Sequence, residues 1–258
     1  MSAQAYYEII NDEEEIFLAA YSQQLPLMLK GPTGCGKSRF VESMAQKLDR
    51  PLIQVSCHDE TSASDLIGRY LLKGGETVWQ DGPVTRAVRS GAILYLDEIA
   101  EAREDVIVIL HALSDHRREL YLDRTGETIK ASKEFMLVVS FNPGYQKSLK
   151  ELKPSTRQRF VGLDFNVPAE SIESRIVRTE SGVNEKEALK LVRLANKVRQ
   201  LRDLGLTETV STRLLVDAAK LMNSGIGPRK ACRVAIISPL TDDPEIHLAL
   251  NEYVALVF

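Results

Sequence analysis

The sequence predicts an α/β fold, a mostly parallel five-stranded sheet between helices, followed by a small all-helical end. Three observations carry this expectation. As far as about Phe165, short β-branched or apolar runs alternate with amphipathic helical stretches, the pattern of strands joined by crossover helices. One such run, residues 25–29, leads directly into Gly31-Pro32-Thr33-Gly34-Cys35-Gly36-Lys37-Ser38, a complete G-x-x-x-x-G-K-[ST] motif. Beyond Val167-Pro168 the strand patterns stop and only helical periodicity remains.

The expected strands are residues 25–29, 52–56, 92–96, 135–141 and 162–165. After the glycine-rich loop, Phe40, Val41, Met44, Ala45 and Leu48 recur at helical spacing, which predicts a helix with one buried face. Between the third and fourth strands lies a helix at 104–114. It is followed by two alternating runs, 119–122 and 127–131, on either side of Asp123-Arg124-Thr125-Gly126, the signature of a β-hairpin. In the helical end, residues 185–202 place Ala188, Leu191, Val192, Ala195, Val198 and Leu201 on one face, and 212–222 forms a second helix. Gly225-Ile226-Gly227-Pro228 interrupts the chain before a third, and Asp242-Asp243-Pro244 opens a last one. The expected division is a nucleotide-binding core over about 1–166 and a helical lid over 167–258.

The loop motif points to a nucleoside triphosphate. Its glycines allow successive backbone N–H groups to face phosphate oxygens, Lys37 adds positive charge, and Ser38 offers a hydroxyl to Mg²⁺. Gly31 through Ser38 are therefore the candidate phosphate-binding residues. Ile93-Leu94-Tyr95-Leu96-Asp97-Glu98 is an apolar strand ending in two carboxylates. Asp97 can complete a Mg²⁺ site with Ser38, while Glu98 can orient and deprotonate an attacking water. Asn142 closes the apolar run 135–141 at the end where parallel sheets place ligand groups, and its amide can hold that water opposite Glu98. In Ser211-Thr212-Arg213, Ser211 is a candidate N-cap, so Arg213 falls in the first helical turn, where a cation opposes the helix dipole. A phosphate would relieve that conflict, as would a surface carboxylate. Two arginines, Arg157 and Arg159, precede the fifth strand and could reach the phosphates of a neighbouring subunit.

With 33 basic and 36 acidic residues the formal charge is −3, so general attraction to nucleic acid has no electrostatic support. Cys35, Cys57 and Cys232 are odd in number and widely spaced without a C-x-x-C, which argues against a disulfide framework and a zinc site. His58 beside Cys57, and His111 and His116 without a His-Glu-x-x-His arrangement, do not form a metal motif. The first residues lack the basic and apolar regions of a signal peptide, and no apolar run approaches membrane length. A cytoplasmic protein with neither membrane nor nucleic-acid partners is expected.

The order of these parts resembles an AAA+ ATPase of the MoxR group over nearly the whole chain. The resemblance assigns Gly31–Ser38 as Walker A and residues 94–98 as Walker B. Asn142 matches sensor 1, Arg159 or Arg157 the arginine finger, and Arg213 sensor 2. It also assigns about 69–81 to the insertion that interrupts the second core helix, and about 118–132 to the pre-sensor-1 hairpin. The lone tryptophan, Trp79, adjoins Gly74-Gly75 in that insertion; it is either an exposed grip on a mobile loop or buried under its own hairpin. Residues 31–37, 57–61 and 153–160 look most like the CbbQ/NirQ/NorQ branch, with CbbQ the nearest match. What the resemblance implies is an ATP- and Mg²⁺-dependent hexameric ring in which phosphate loss drives lid rotation. Its adaptor would be a CbbO-type von Willebrand-domain protein, and its client either inhibited ribulose bisphosphate carboxylase (Rubisco) or nitric oxide reductase. A nucleotide-dependent scaffold with little turnover is the alternative of another class.

Overall fold

Five short apolar segments build the central sheet of the computed structural model, which describes residues 6–142, 152–201 and 209–258. In chain order the first part runs α1 (Glu13–Ser22), β1 (Leu27–Lys30), α2 (Lys37–Lys47), β2 (Leu52–Ser56), α3 (Ala63–Ile67), β3 (Gly68–Lys73), β4 (Glu76–Asp81) and α4 (Pro83–Ser90). It continues with β5 (Ile93–Asp97), a 3₁₀ turn (Ile99–Glu101), α5 (Glu104–Ser114), β6 (Glu119–Leu122), β7 (Glu127–Lys130), β8 (Met136–Phe141), α6 (Pro154–Arg157) and β9 (Val161–Asp164). The strands lie in the order β2-β5-β8-β1-β9, and every adjacent pair is parallel. All five fall on the expected runs, β2 with the expected bounds and the other four with ends shifted by at most two residues. β1, for instance, starts at Leu27 because Leu25 is exposed and Pro26, lacking an N–H, joins the sheet only through its carbonyl, which accepts from Val161 N–H.

β8 lies third of the five strands and buries all of its residues, as a strand covered on both faces must. Leu94, Leu96, Leu137 and Val139 pack in one cluster with Val84 and Val88 of α4 and Val106 and Leu110 of α5. Phe17 of α1 and Phe40 of α2 are fully buried and meet edge to face, 5.5 Å between ring centres. Helix ends follow local chemistry. Ser62 and Asp65 form a reciprocal capping box at α3, while α4 begins with Pro83 and ends at left-handed Gly91.

Two hairpins project from this architecture. In the first, where the insertion is expected, β3 and β4 pair antiparallel across Gly74-Gly75, whose φ angles of 60° and 88° suit a two-residue turn that needs both central positions left-handed. Trp79 is neither fully exposed nor sealed. It is half-buried against the core cluster, meets Tyr70 edge to face at 5.2 Å, and its Nε1 donates to Asp81 Oδ1 at 2.7 Å. The most exposed apolar side chain of the hairpin is Leu72, at 81%, with Val78 also open. β6 and β7 form the second hairpin as expected, and Leu120, Leu122 and Ile129 anchor it in the core. The two are tied together: the Tyr70 hydroxyl donates to the Arg124 carbonyl at 3.2 Å, and Arg89 of α4 bridges Asp81 and Glu127.

The chain divides into two compact units. The first holds residues 11–31 and 37–164; the second holds 6–10, 32–36 and 165–258. The second unit is helical: α7 (Glu170–Ser181), α8 (Glu185–Gln200), α9 (Thr212–Asn223), α10 (Pro228–Cys232), a π-helical stretch (Arg233–Ile237), α11 (Ser238–Leu240) and α12 (Pro244–Val257). The expected helix at 185–202 appears as α8 ending at Gln200; Arg202 lies outside the described residues. Ala188, Leu191, Val192, Ala195 and Val198 join α9 residues Leu215, Ala218 and Ala219 in a separate core. Among the described residues no helix is long and apolar enough to cross a membrane.

Candidate nucleotide site

Parallel strands share a direction, so the carboxyl ends of β1, β5 and β8 form one edge, where open α/β sheets bind ligands. Register then chooses the residues. β5 pairs Leu96 with Val139, and β1 pairs Lys30 with Phe141, so Asp97, Ser140, Gly31 and Asn142 come next along that edge.

Lys37, the first residue of α2, is buried, and its Nζ donates to the Gly31 carbonyl and to Asn142 Oδ1, both at 2.7 Å. A cation at a helix N-terminus opposes the dipole; here oxygen acceptors compensate it, and phosphate oxygens are chemically equivalent partners. Ser38 Oγ lies 3.3 Å from Asp97 Oδ2 and 3.4 Å from the Tyr95 hydroxyl. The structure thus brings together Lys37, Ser38, Asp97 and Asn142, drawn from three separate stretches of sequence. Hydroxyl and carboxylate oxygens are the hard donors that Mg²⁺ takes beside substrate phosphates, so this set fits that ion.

Glu98 immediately follows in left-handed backbone, φ 56° and ψ 44°. For a residue with a side chain that conformation costs about 1–2 kcal/mol, so its surroundings must hold it. Its N–H donates to Ser140 Oγ at 2.9 Å, and Ser140 in turn donates to Asp97 Oδ1. Tyr95 donates to the same Oδ1 at 2.8 Å; burial, and next the Asp97 charge, push its phenol up, so it stays a donor. Neither Tyr95 nor Ser140 is among the residues the motifs single out. The available signal was period-two spacing: Tyr95 lies two before Asp97, and Ser140 two before Asn142, as the lone hydroxyl in an apolar run. Cys57, whose N–H donates to the Asp97 carbonyl at 2.9 Å, is buried, and its thiol is pushed up to about 12 by burial and then by Asp97 and Glu98. It is an inert thiol at neutral pH.

The second unit contains the loop tip 32–36 and the start of α9. Gly34 has φ 72°, and a methyl there would stand 2.6 Å from Ser211 Cβ and 3.5 Å from Arg213 Cβ. Only glycine fits. Ser211 caps α9, its Oγ accepting from Leu214 N–H at 3.4 Å, and Arg213 is exposed in the first turn beside the loop tip. The start of α9 is held from below by Glu173, which takes Arg199 Nη1 and Nη2 and Thr212 Oγ1, each at 2.7 Å. This ion pair has no local sequence signal, because its partners are 26 residues apart on two different helices.

Arg157 and Arg159, in and just after α6, are both exposed, so neither is enclosed by its own chain. Between them and α5, His111 Nε2 is 2.9 Å from buried Thr156 Oγ1.

Residues 26–160 match the model of an AAA domain of the dynein-related subfamily, and residues 173–257 match the CbbQ/NirQ/NorQ C-terminal domain. The chain is 57% identical over 253 residues to protein NorQ of Paracoccus denitrificans, covering 98% of this chain and 94% of that one. The chain belongs to the CbbQ/NirQ/NorQ family of AAA+ ATPases. Its likeness to CbbQ of Hydrogenophilus thermoluteolus is comparable, 53% over 256 residues, covering 99% and 96%. The crystal structure of a putative ATPase from Cytophaga hutchinsonii shares the fold, with a TM-score of 0.56 at 15% identity over 96% of this chain and 89% of that one. As a CbbQ/NirQ/NorQ member the chain is an ATPase, and the five-stranded parallel sheet with a helical C-terminal region is the expected AAA+ architecture.

Proposed function

We propose that this CbbQ/NirQ/NorQ ATPase is one subunit of a cytoplasmic ring, a hexamer, that works with a CbbO-type von Willebrand-domain adaptor to remodel and reactivate inhibited Rubisco. The observation that carries the ATP-driven part is the meeting of Lys37, Ser38, Asp97 and Asn142 at one sheet edge, with Glu98 turned out of β5 immediately beside them. Lys37 and the loop amides bind the β- and γ-phosphates. Ser38 and Asp97 would hold Mg²⁺, whose chemistry there is to neutralise charge on the transferring phosphate. Glu98 orients the attacking water and takes its proton, and Asn142 positions that water once ATP phosphates replace it as the acceptor for Lys37.

The exposure of Arg157 and Arg159 supports a role in trans: one of them, Arg159 by its place beside Phe160, reaches the phosphates of a neighbouring subunit. Arg213 stands beside the loop tip and senses the γ-phosphate from the lid. Output goes to the two joined hairpins, where Leu72 offers an apolar contact to a partner. For the client, the resemblance of residues 31–37, 57–61 and 153–160 supports Rubisco, while 57% identity to NorQ supports a second reading, maturation of nitric oxide reductase.

Glu98→Gln should bind ATP normally and lose nearly all turnover; retained hydrolysis would remove Glu98 from its role. The client test adds the purified protein, a CbbO-type adaptor and ATP to Rubisco inhibited by sugar phosphate. Recovered carboxylase activity supports the first reading, and no recovery with an adaptor that binds moves the assignment to nitric oxide reductase.

A further inference from the structure

We infer that Ser140 is a positioning residue for hydrolysis: its single hydroxyl sets the geometry of both carboxylates and touches no nucleotide. This rests on the reading of Asp97 and Glu98 proposed above. A serine hydroxyl has one proton to give and lone pairs to receive. In Ser140 the proton goes to Asp97 Oδ1, and a lone pair takes the Glu98 N–H at 2.9 Å. With Tyr95 donating to the same Oδ1, that oxygen is committed to the protein, which leaves Oδ2 as the oxygen facing Ser38, 3.3 Å away. The choice of carboxylate oxygen is therefore made by β5 and β8 before any ligand arrives.

The same bond holds Glu98 in left-handed backbone, the turn by which the chain leaves β5. Ser140 is fully buried, so water cannot replace the hydroxyl if it is lost. Period-two alternation puts Ser140 and Asn142 on one face of the same strand line. One stretch of β8 and its extension thus fixes the carboxylates through Ser140 and Lys37 through Asn142.

The test compares Ser140→Ala, Ser140→Cys and Ser140→Thr in the full-length protein. Outer-shell hydrogen bonds of this kind carry about 10–100-fold in metal affinity or activity. Ser140→Ala and Ser140→Cys should lower kcat about 10–100-fold while KM for ATP stays within about twofold, and Ser140→Thr, which keeps the hydroxyl, should return most of the rate. The readout independent of turnover is the rise in melting temperature with ADP at increasing Mg²⁺, measured over the rise with ADP alone. Its Mg²⁺ midpoint should move about tenfold in the Ala and Cys variants. A purely structural role would lower all melting temperatures together and leave that midpoint in place, which overturns the inference. Restoration by Cys as complete as by Thr also overturns it, since size alone would then suffice. Asp97→Asn separates the two levels. If it keeps the wild-type Mg²⁺ midpoint, the site reading itself falls; if it loses the Mg²⁺ response while Ser140→Ala does not, only the role of Ser140 falls.

Discussion

Breaking the Glu173–Arg199 pair should destabilise the helical unit strongly and unequally from its two sides. Glu173 is fully buried on α7, and the Arg199 side chain is only 11% exposed on α8. Removing one member of a buried ion pair costs about 3–5 kcal/mol, because the other charge stays buried without its partner. The surroundings decide where in that range each variant falls. In Glu173→Gln, Arg199 keeps the Val210 carbonyl at 2.8 Å and Asn196 Oδ1 at 2.9 Å, so about 3 kcal/mol is expected. In Arg199→Met, Glu173 keeps the Thr212 hydroxyl from this network as donor, and about 5 kcal/mol is expected. At about 2–4 °C per kcal/mol for a chain of this size, the midpoints should fall by about 6–12 °C and 10–20 °C. Replacing both, Glu173→Leu with Arg199→Met, should cost less than Arg199→Met alone, since well-packed apolar side chains substitute for buried pairs with little loss. Calorimetry of the purified variants measures this. Single-variant shifts below about 2 °C, or a double variant as unstable as the sum of the singles, would refute the argument.

Other outcomes follow from the same geometry. Gly34→Ala should abolish tight ATP binding and lower stability, since its methyl meets Ser211 at 2.6 Å in left-handed backbone; a nucleotide titration with wild-type affinity would contradict the fit. Rings mixing Arg159→Ala subunits with Lys37→Ala subunits should hydrolyse more ATP than either alone, and Arg157→Ala serves as the comparison; no gain in any mixture argues against a trans finger. His111 is held below its ordinary value of 6.5 by burial and then by the charges of Arg159 and Lys153. A depressed folded value means the unfolded chain binds the proton more readily, so this contribution to stability is complete above about pH 6.5 and is lost as pH falls through the folded value. Wild type should therefore lose more stability than His111→Gln between about pH 7.5 and 5, as read by urea midpoints, and equal losses would remove His111 as the cause.

Much of the α/β unit is legible in the sequence, because its signals are local. Phe40, Val41 and Met44 recur at helical spacing, and the apolar run around Val138 is too short and too β-branched for a helix. Glycine and proline punctuation marked the turns around Gly126 and before α10. The insertion was harder. Its Gly74-Gly75 turn was visible, but the half-burial of Trp79 depends on Tyr70 across the hairpin and on the core beneath it, neither of which is encoded near Trp79. The same distance hid Glu173 from Arg199 and Thr212.

Sequence by itself determined the chemical inventory: a glycine loop with Lys37 and Ser38, two carboxylates closing a strand, and an amide closing another. These are short-range patterns, and each carries its own physical meaning. Only the tertiary structure decided that β8 lies between β5 and β1, and strand order is a property of long-range hydrogen bonding that no local window contains. That order puts Asn142 on Lys37 and Ser140 on both Asp97 and Glu98. The apolar run from Phe135 to Phe141 announced a strand, and its lone serine took on meaning only when the neighbouring strand supplied the carboxylate beside it.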